Sequence, residues 1–67
     1  MDNRKMVYST TVEHLGHLMR DKLEAEGINT LILNQKDSAY NMFGNLELYV
    51  MLEDFDKAIK IVDINRD

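Results

Sequence analysis

The sequence predicts a two-layer α+β domain with the element order βαββα, in which two helices cover one face of a three-stranded antiparallel sheet. Apolar runs typical of strands begin near residues 5, 28 and 46. Apolar residues at helical spacing follow the first and the third of these runs. The 67 residues contain no proline, repeat or linker, which indicates one small domain over residues 1–67.

The first strand is predicted at residues 5–9, and a helix follows it directly. Thr10-Thr11-Val12-Glu13 matches a capping box, in which the Thr10 hydroxyl accepts from the Glu13 amide and the Glu13 carboxylate reaches back. The helix is predicted to end at Gly27, because glycine readily takes the left-handed conformation that follows many helices. Five residues share its predicted buried sector: Val12, Leu15, Gly16, Met19 and Leu23.

Gly16 lies inside that sector, although a glycine in a helix costs about 1 kcal/mol relative to Ala. Two interpretations stay open. Either the position merely tolerates glycine, or glycine lets the helix approach the sheet closely. We favour close approach because the residue lies on the buried face.

The remaining strands are predicted at residues 28–34 and 46–52. In the latter, one face carries Leu46, Leu48, Val50 and Leu52, and the other carries Glu47, Tyr49 and Met51. The second helix follows, with acidic residues near its start that complement the helix dipole: Glu53, Asp54 and Asp56. Its apolar residues recur at helical spacing: Phe55, Ala58, Ile59 and Val62.

A right-handed crossover between the first two strands leaves the third between them, giving the order 2-3-1 with the central strand antiparallel to both. This is a ferredoxin-like plait that lacks a full fourth strand, since residues 63–67 are too few and too polar to supply one. We expect an ordered core over residues 5–62, with residues 1–4 and 63–67 frayed. The first strand is then a bare edge, which can recruit another strand.

Charge and composition exclude several classes of protein. Eight basic and twelve acidic residues give a net charge of −4, opposite to the basic footprint of nucleic-acid binders. No apolar run approaches the ~18 residues of a membrane span, and there is no cysteine. Because the first residues are polar and lack the apolar stretch of a signal peptide, we expect a cytoplasmic protein that binds neither nucleic acid nor membrane.

Short motifs along the chain resemble one known family. They are Tyr8-Ser9-Thr10, Leu23-Glu24-Ala25-Glu26-Gly27-Ile28, Leu33-Asn34 with Lys36-Asp37-Ser38, Gly44 with the strand Leu46 to Val50, and Glu53-Asp54 with Lys57-Ala58-Ile59. Over residues 5–62 the chain resembles the prokaryotic signal-transducing protein family, small bacterial domains of unknown function grouped with PII-like folds. Met51 departs from it, since the family often has proline after the third strand. The resemblance implies a PII-like plait that senses a small ligand or binds a partner, and it offers no catalytic residue.

The connection at residues 35–45 is long for a hairpin and is the first candidate site. Residues in and beside it offer hydrogen-bonding groups to a small anionic ligand such as a nucleotide or metabolite: Asn34, Lys36, Asp37, Ser38 and Tyr40. A single lysine without a glycine-rich nest is a weak phosphate signal. The alternative also stays open, in which Tyr40, Met42 and Phe43 fold back as a structural lid on the sheet.

The second candidate site is the sheet face opposite the helices, together with the edge of the first strand. Tyr49 and Met51 lie on that face in the predicted alternation, and Tyr8 belongs to the edge strand. They are either scattered surface residues or an interface with a protein partner or a second copy. We favour the interface because a small two-layer domain gains stability when its second face is covered.

No arrangement in the sequence indicates catalysis or metal binding. His14 and His17 share a helical face, but no further His or Cys completes a metal site. His17 and Asp21 are instead predicted to form an i, i+4 pair on the solvent side. Ser9 and Ser38 lack the motif of a nucleophile. We therefore expect no enzyme, metal or cofactor. The predicted function is a non-enzymatic binding or regulatory module, and the alternative is a PII-like sensor that binds its ligand at residues 34–45.

Overall fold

A computed structural model describes residues 3–34 and 46–66, and these residues form the predicted order βαββα. The strands are β1 (Arg4–Thr10), β2 (Thr30–Asn34) and β3 (Leu46–Met51). The helices are α1 (Glu13–Ala25) and α2 (Phe55–Asn65), and a 3₁₀ turn at Leu52–Asp54 leads into α2. Helix α2 thus continues beyond residue 62, where the predicted ordered core ends.

The described strands form one sheet with the order β1-β3-β2, and β3 is antiparallel to both neighbours. This confirms the predicted ferredoxin-like arrangement of three strands and two helices. The helices and the inward side chains of the sheet share one core, in which the largest fully buried residues are Leu23, Ile28, Leu48, Val50 and Val62. The predicted alternation of β3 is confirmed at Leu46, Leu48 and Val50, each of which is buried.

The predicted capping box at the start of α1 is wrong. The Thr10 hydroxyl accepts a 3.0 Å hydrogen bond from the Val12 amide, and α1 begins only at Glu13. Thr10 is still the last residue of β1, so its hydroxyl closes a local turn to the amide two residues on before the helix starts. Val12 consequently occupies the N-cap position and is 42% exposed, outside the buried sector predicted for it.

The end of α1 is a Schellman motif centred on Gly27. The Ile28 amide donates to the Leu23 carbonyl at 3.1 Å, and the Gly27 amide donates to the Glu24 carbonyl at 2.9 Å. Gly27 has φ of +83°, a conformation that residues with a Cβ rarely adopt. The predicted role of Gly27 is confirmed, and the motif carries Ile28 directly into the core beside Leu23.

Gly16 permits the close approach of α1 to the sheet that we expected. A Cβ at this position would overlap the side chain of Leu46, whose Cγ would lie 3.1 Å away. Leu46 is itself only 4% exposed, so it has little room to move aside. The glycine therefore determines how near α1 lies to β3.

Strand β1 contains a bulge that changes which side chains face the helices. Met6 pairs with Tyr49 of β3 but Tyr8 pairs with Leu48, which leaves Val7 as an extra residue. Val7 is buried in the core, and Tyr8, as the partner of Leu48, also faces the helices. Tyr8 is therefore not on the open face with Tyr49.

At the end of β3 the predicted inward position of Leu52 is wrong. The chain leaves the strand after Met51 and enters the 3₁₀ turn, so Leu52 is 53% exposed. Two contacts then hold the start of α2 in place. The Lys5 ammonium lies 4.4 Å from the centre of the Phe55 ring, and the Lys57 ammonium donates to the Glu26 carbonyl at 3.1 Å.

Candidate functional site

Most of the ligand site predicted at residues 34–45 lies outside the described residues. Lys36, Asp37, Ser38 and Tyr40 belong to that part of the chain. Asn34 is described as the last residue of β2, where it is exposed and pairs with Leu46. Ligand binding at residues 34–45 therefore stays a prediction.

The sheet face opposite the helices, called the open face below, is mainly apolar in the described strands. The pairing register places five apolar side chains on it: Met6, Leu31, Leu33, Tyr49 and Met51. Met6 is 44% exposed, and the other four are half-buried. All three described strands contribute, so the apolar surface is continuous across the sheet.

Sequence reasoning identified only Tyr49 and Met51 of this set. Leu31, Ile32 and Leu33 are consecutive apolar residues, and such a run does not reveal which of them faces the helices. The pairing of Ile32 with Leu48 settles the question, because it turns Ile32 inward and its two neighbours outward. In β1, the bulge at Val7 leaves Met6 on the open face, whereas Val7 and Tyr8 face the helices.

The three described strands place two charged residues on the open face, at opposite ends of it. Arg4 pairs with Met51 at one end, and Glu47 lies between Ser9 and Leu33 at the other. One guanidinium nitrogen of Arg4, Nη1, is buried without a hydrogen-bond partner among the described residues. Glu47 Oε1 accepts a 3.0 Å hydrogen bond from the Tyr49 hydroxyl.

The bond between Tyr49 and Glu47 raises the pKa of the Tyr49 hydroxyl above its ordinary value of 10.0. The hydrogen bond holds the phenol proton, and partial burial and the negative charge of Glu47 act in the same direction. Because the folded-state pKa is raised, the stability that this group contributes is fully present below about pH 10 and is lost as the pH rises through the folded-state pKa. Tyr49 is thus an uncharged member of the open face at neutral pH.

Glu47→Ala should lower the pKa of Tyr49 towards 10.0, because it removes both the acceptor and the negative charge. A pH titration followed by NMR at the Tyr49 ring carbons measures this value separately from the other tyrosines. Glu53→Ala, at an exposed acidic residue of the 3₁₀ turn, serves as the control and should leave the titration unchanged. An unchanged midpoint in Glu47→Ala would contradict the assigned cause.

A third candidate site is a groove between α1, β1 and the end of α2, called the helix groove below. It is open to solvent on one side and has a volume of about 280 Å³. Its apolar lining consists of Tyr8, Leu15, Leu18 and Met19, and its polar lining consists of Lys22, Asn65 and Arg66. Leu15 was predicted to be buried, but it is 39% exposed because it borders this groove, and Leu18 is 50% exposed.

The sequence pattern of α1 indicates a second apolar face, which the prediction of one buried sector did not distinguish. Leu15, Leu18 and Lys22 are spaced at i, i+3 and i+7 and therefore share one helical face. That face lies beside the one formed by Gly16, Met19 and Leu23, which is buried on the sheet. Helix α1 thus has an apolar surface wider than the sheet covers.

The histidines of α1 lie at its surface. His17 Nε2 is 3.9 Å from Glu13 Oε2, whereas Asp21 accepts a 3.0 Å hydrogen bond from Arg20 Nε, so the predicted pairing of His17 with Asp21 is wrong. Within residues 3–34 and 46–66, no three His, Asp or Glu side chains are placed to hold a metal ion.

Neither described helix could span a membrane, and the comparisons with known proteins identify no family. Helices α1 and α2 have 13 and 11 residues, and neither is long and apolar enough to cross a membrane. The resemblance to prokaryotic signal-transducing proteins stays a prediction. In comparisons with protein-family models, with curated proteins and with solved structures, the chain has no match.

Proposed function

We propose that this chain is a non-enzymatic binding module that acts through protein contacts on its open face, as a PII-like component of bacterial signal transduction. The open face carries the binding part of the proposal. The bacterial, cytoplasmic and signalling parts rest on the sequence alone.

The observation that carries the proposal is the apolar surface formed by Met6, Leu31, Leu33, Tyr49 and Met51. Scattered exposed apolar residues are normal, but a contiguous apolar surface on a small domain marks an interaction site. Covering it adds a third layer to a domain of two layers, whose single core supplies little stability.

The open face fits a partner better than the edge of β1 does. The bulge at Val7 twists β1, and Lys5 places a positive charge on it. Bulges and charged side chains are features that discourage an edge strand from pairing with another chain. We therefore assign the contact to the face rather than the edge.

The charge pattern favours a second copy of this chain as the partner. Arg4 and Glu47 lie at opposite ends of the face. Arg4 pairs with Met51, which is four residues from Glu47 along β3, so the two charges are separated by about 13 Å along the strand direction. In a dimer, a two-fold axis can lie between the two open faces and run perpendicular to the strands. This symmetry brings Arg4 of each copy towards Glu47 of the other. The apolar residues then meet at the centre, as in an aligned sheet packing.

Met6→Arg should raise the dissociation constant of the dimer at least tenfold. It places an unpaired charge in the apolar centre of the contact, and tenfold corresponds to about 1.4 kcal/mol. Sedimentation velocity over a concentration series measures the constant. Leu52→Arg is the matched control, since Leu52 is exposed but lies outside the face, and it should leave association unchanged.

Charge reversal tests the orientation of the two copies. Arg4→Glu should weaken the dimer, and adding Glu47→Arg should restore part of the lost affinity. Circular dichroism confirms that each variant is folded. A wild-type chain that remains monomeric at millimolar concentration would contradict the second copy and would turn the search to a different protein on the same face.

A further inference from the structure

The helix groove leaves two leucines of α1 exposed to solvent. Leu18 is half exposed and Leu15 is 39% exposed, and both face the groove beside the half-buried Tyr8. Each exposed leucine forgoes much of the stabilisation that full burial would provide. The chain thus retains a prepared apolar surface on the side of the molecule opposite the open face.

Among the described residues, the charged side chains that line the groove are both basic, although the chain as a whole is acidic. Lys22 and Arg66 both line it, in a chain with twelve acidic and eight basic residues. The only acidic contact to these two residues within the described chain is Asp63, whose Oδ1 lies 3.8 Å from Arg66 Nη1. Both partners of that pair are more than half exposed, so the pair is weak and leaves Arg66 able to contact another anion.

The volume of the groove matches a small ligand. Its volume of about 280 Å³ lies just below the roughly 300 to 1,000 Å³ that ligand pockets span. It exceeds the cavities of about 150 Å³ that accept benzene. A short alkyl chain therefore fits this space.

We propose that the helix groove binds a small amphiphilic carboxylate, a medium-chain fatty acid anion. Its alkyl chain lies against Leu15, Leu18 and Tyr8, and its carboxylate is held by the cations of Lys22 and Arg66. The proposal is independent of the function proposed above, because the groove and the open face use opposite sides of the sheet.

Amide-resolved NMR titration of the full chain with octanoate tests the proposal. We expect saturable shifts at the amides of α1 residues 15–22 and of residues 65 and 66. 1-Octanol, which has the same chain without the charge, should bind at least tenfold more weakly, because it cannot pair with Lys22 or Arg66.

Variants assign the roles of the two parts of the groove. Lys22→Gln with Arg66→Gln should raise the octanoate dissociation constant about tenfold, which corresponds to about 1.4 kcal/mol. Leu18→Ser should weaken octanoate and octanol alike. Lys60→Gln removes an exposed lysine of α2 that does not line the groove, and it should change neither.

Three outcomes would overturn the proposal. They are unchanged spectra at low-millimolar octanoate, equal affinity for octanol and octanoate, and saturable shifts confined to the open face. The last outcome would assign the ligand to the other side of the sheet.

Discussion

Leu48→Ala is expected to lower the free energy of unfolding by about 2 to 5 kcal/mol, which is most of the stability of a domain of this size. Leu48 is fully buried at the centre of β3, the strand that pairs with both others. Its loss leaves a cavity where the two helices meet the sheet. A single core in a domain of this size rarely supplies more than ~3 to 5 kcal/mol, so one such cavity removes most of the margin.

Urea unfolding followed by circular dichroism measures the change. Leu52→Ala provides the control, because Leu52 is another leucine of the same chain segment but is 53% exposed. Its expected effect is within about 0.5 kcal/mol of wild type. A Leu48→Ala protein as stable as this control would show that the core does not depend on β3 as described.

Gly16→Val is expected to lower the free energy of unfolding by more than about 2 kcal/mol, despite the better helix propensity of valine. A side chain at position 16 meets Leu46 at once, and Leu46 is nearly fully buried. The helix must therefore move away from β3 or Leu46 must leave its position. Ala25→Val, at an exposed position of the same helix, is the control and should cost about 0.5 kcal/mol.

A double-mutant cycle separates the clash from a general effect on the helix. Gly16→Ala should destabilise the wild-type chain, but in a Leu46→Ala background the same change should be neutral or stabilising by up to about 1 kcal/mol. The space vacated by Leu46 accepts the new methyl group, and only the gain in helix propensity remains. Equal effects in both backgrounds would mean that Gly16 does not set the distance between α1 and β3.

The parts of the fold that were predicted correctly depend on local pattern. Alternation in β3 identified Leu46, Leu48 and Val50 as buried, because successive side chains of a strand point to opposite faces. Gly27 was identified as the residue after α1 because a positive φ is cheap only for glycine. The sheet order followed from the split βαβ unit, in which a third strand lies between the two parallel strands.

The errors arose where a local rule competed with neighbouring structure. The motif at Thr10 suited a capping box, but Thr10 remained in β1 and its hydroxyl bound the Val12 amide instead. Leu52 continued the alternation of β3, but the chain had already turned towards α2. In each case the pattern was present, and the position of the adjoining element decided how the residue was used.

For the candidate sites, the sequence by itself determined which side chains were available: apolar residues in three strands, a wide apolar surface on α1, and cations at Lys22 and Arg66. Only the tertiary structure decided which of them lie together. The bulge at Val7 turned Tyr8 towards the helices and left Met6 outside, and the pairing of β2 with β3 turned Leu31 and Leu33 onto the open face. Periodicity is a property of neighbouring residues, whereas strand register and the packing of α1 against the end of α2 depend on contacts between distant parts of the chain.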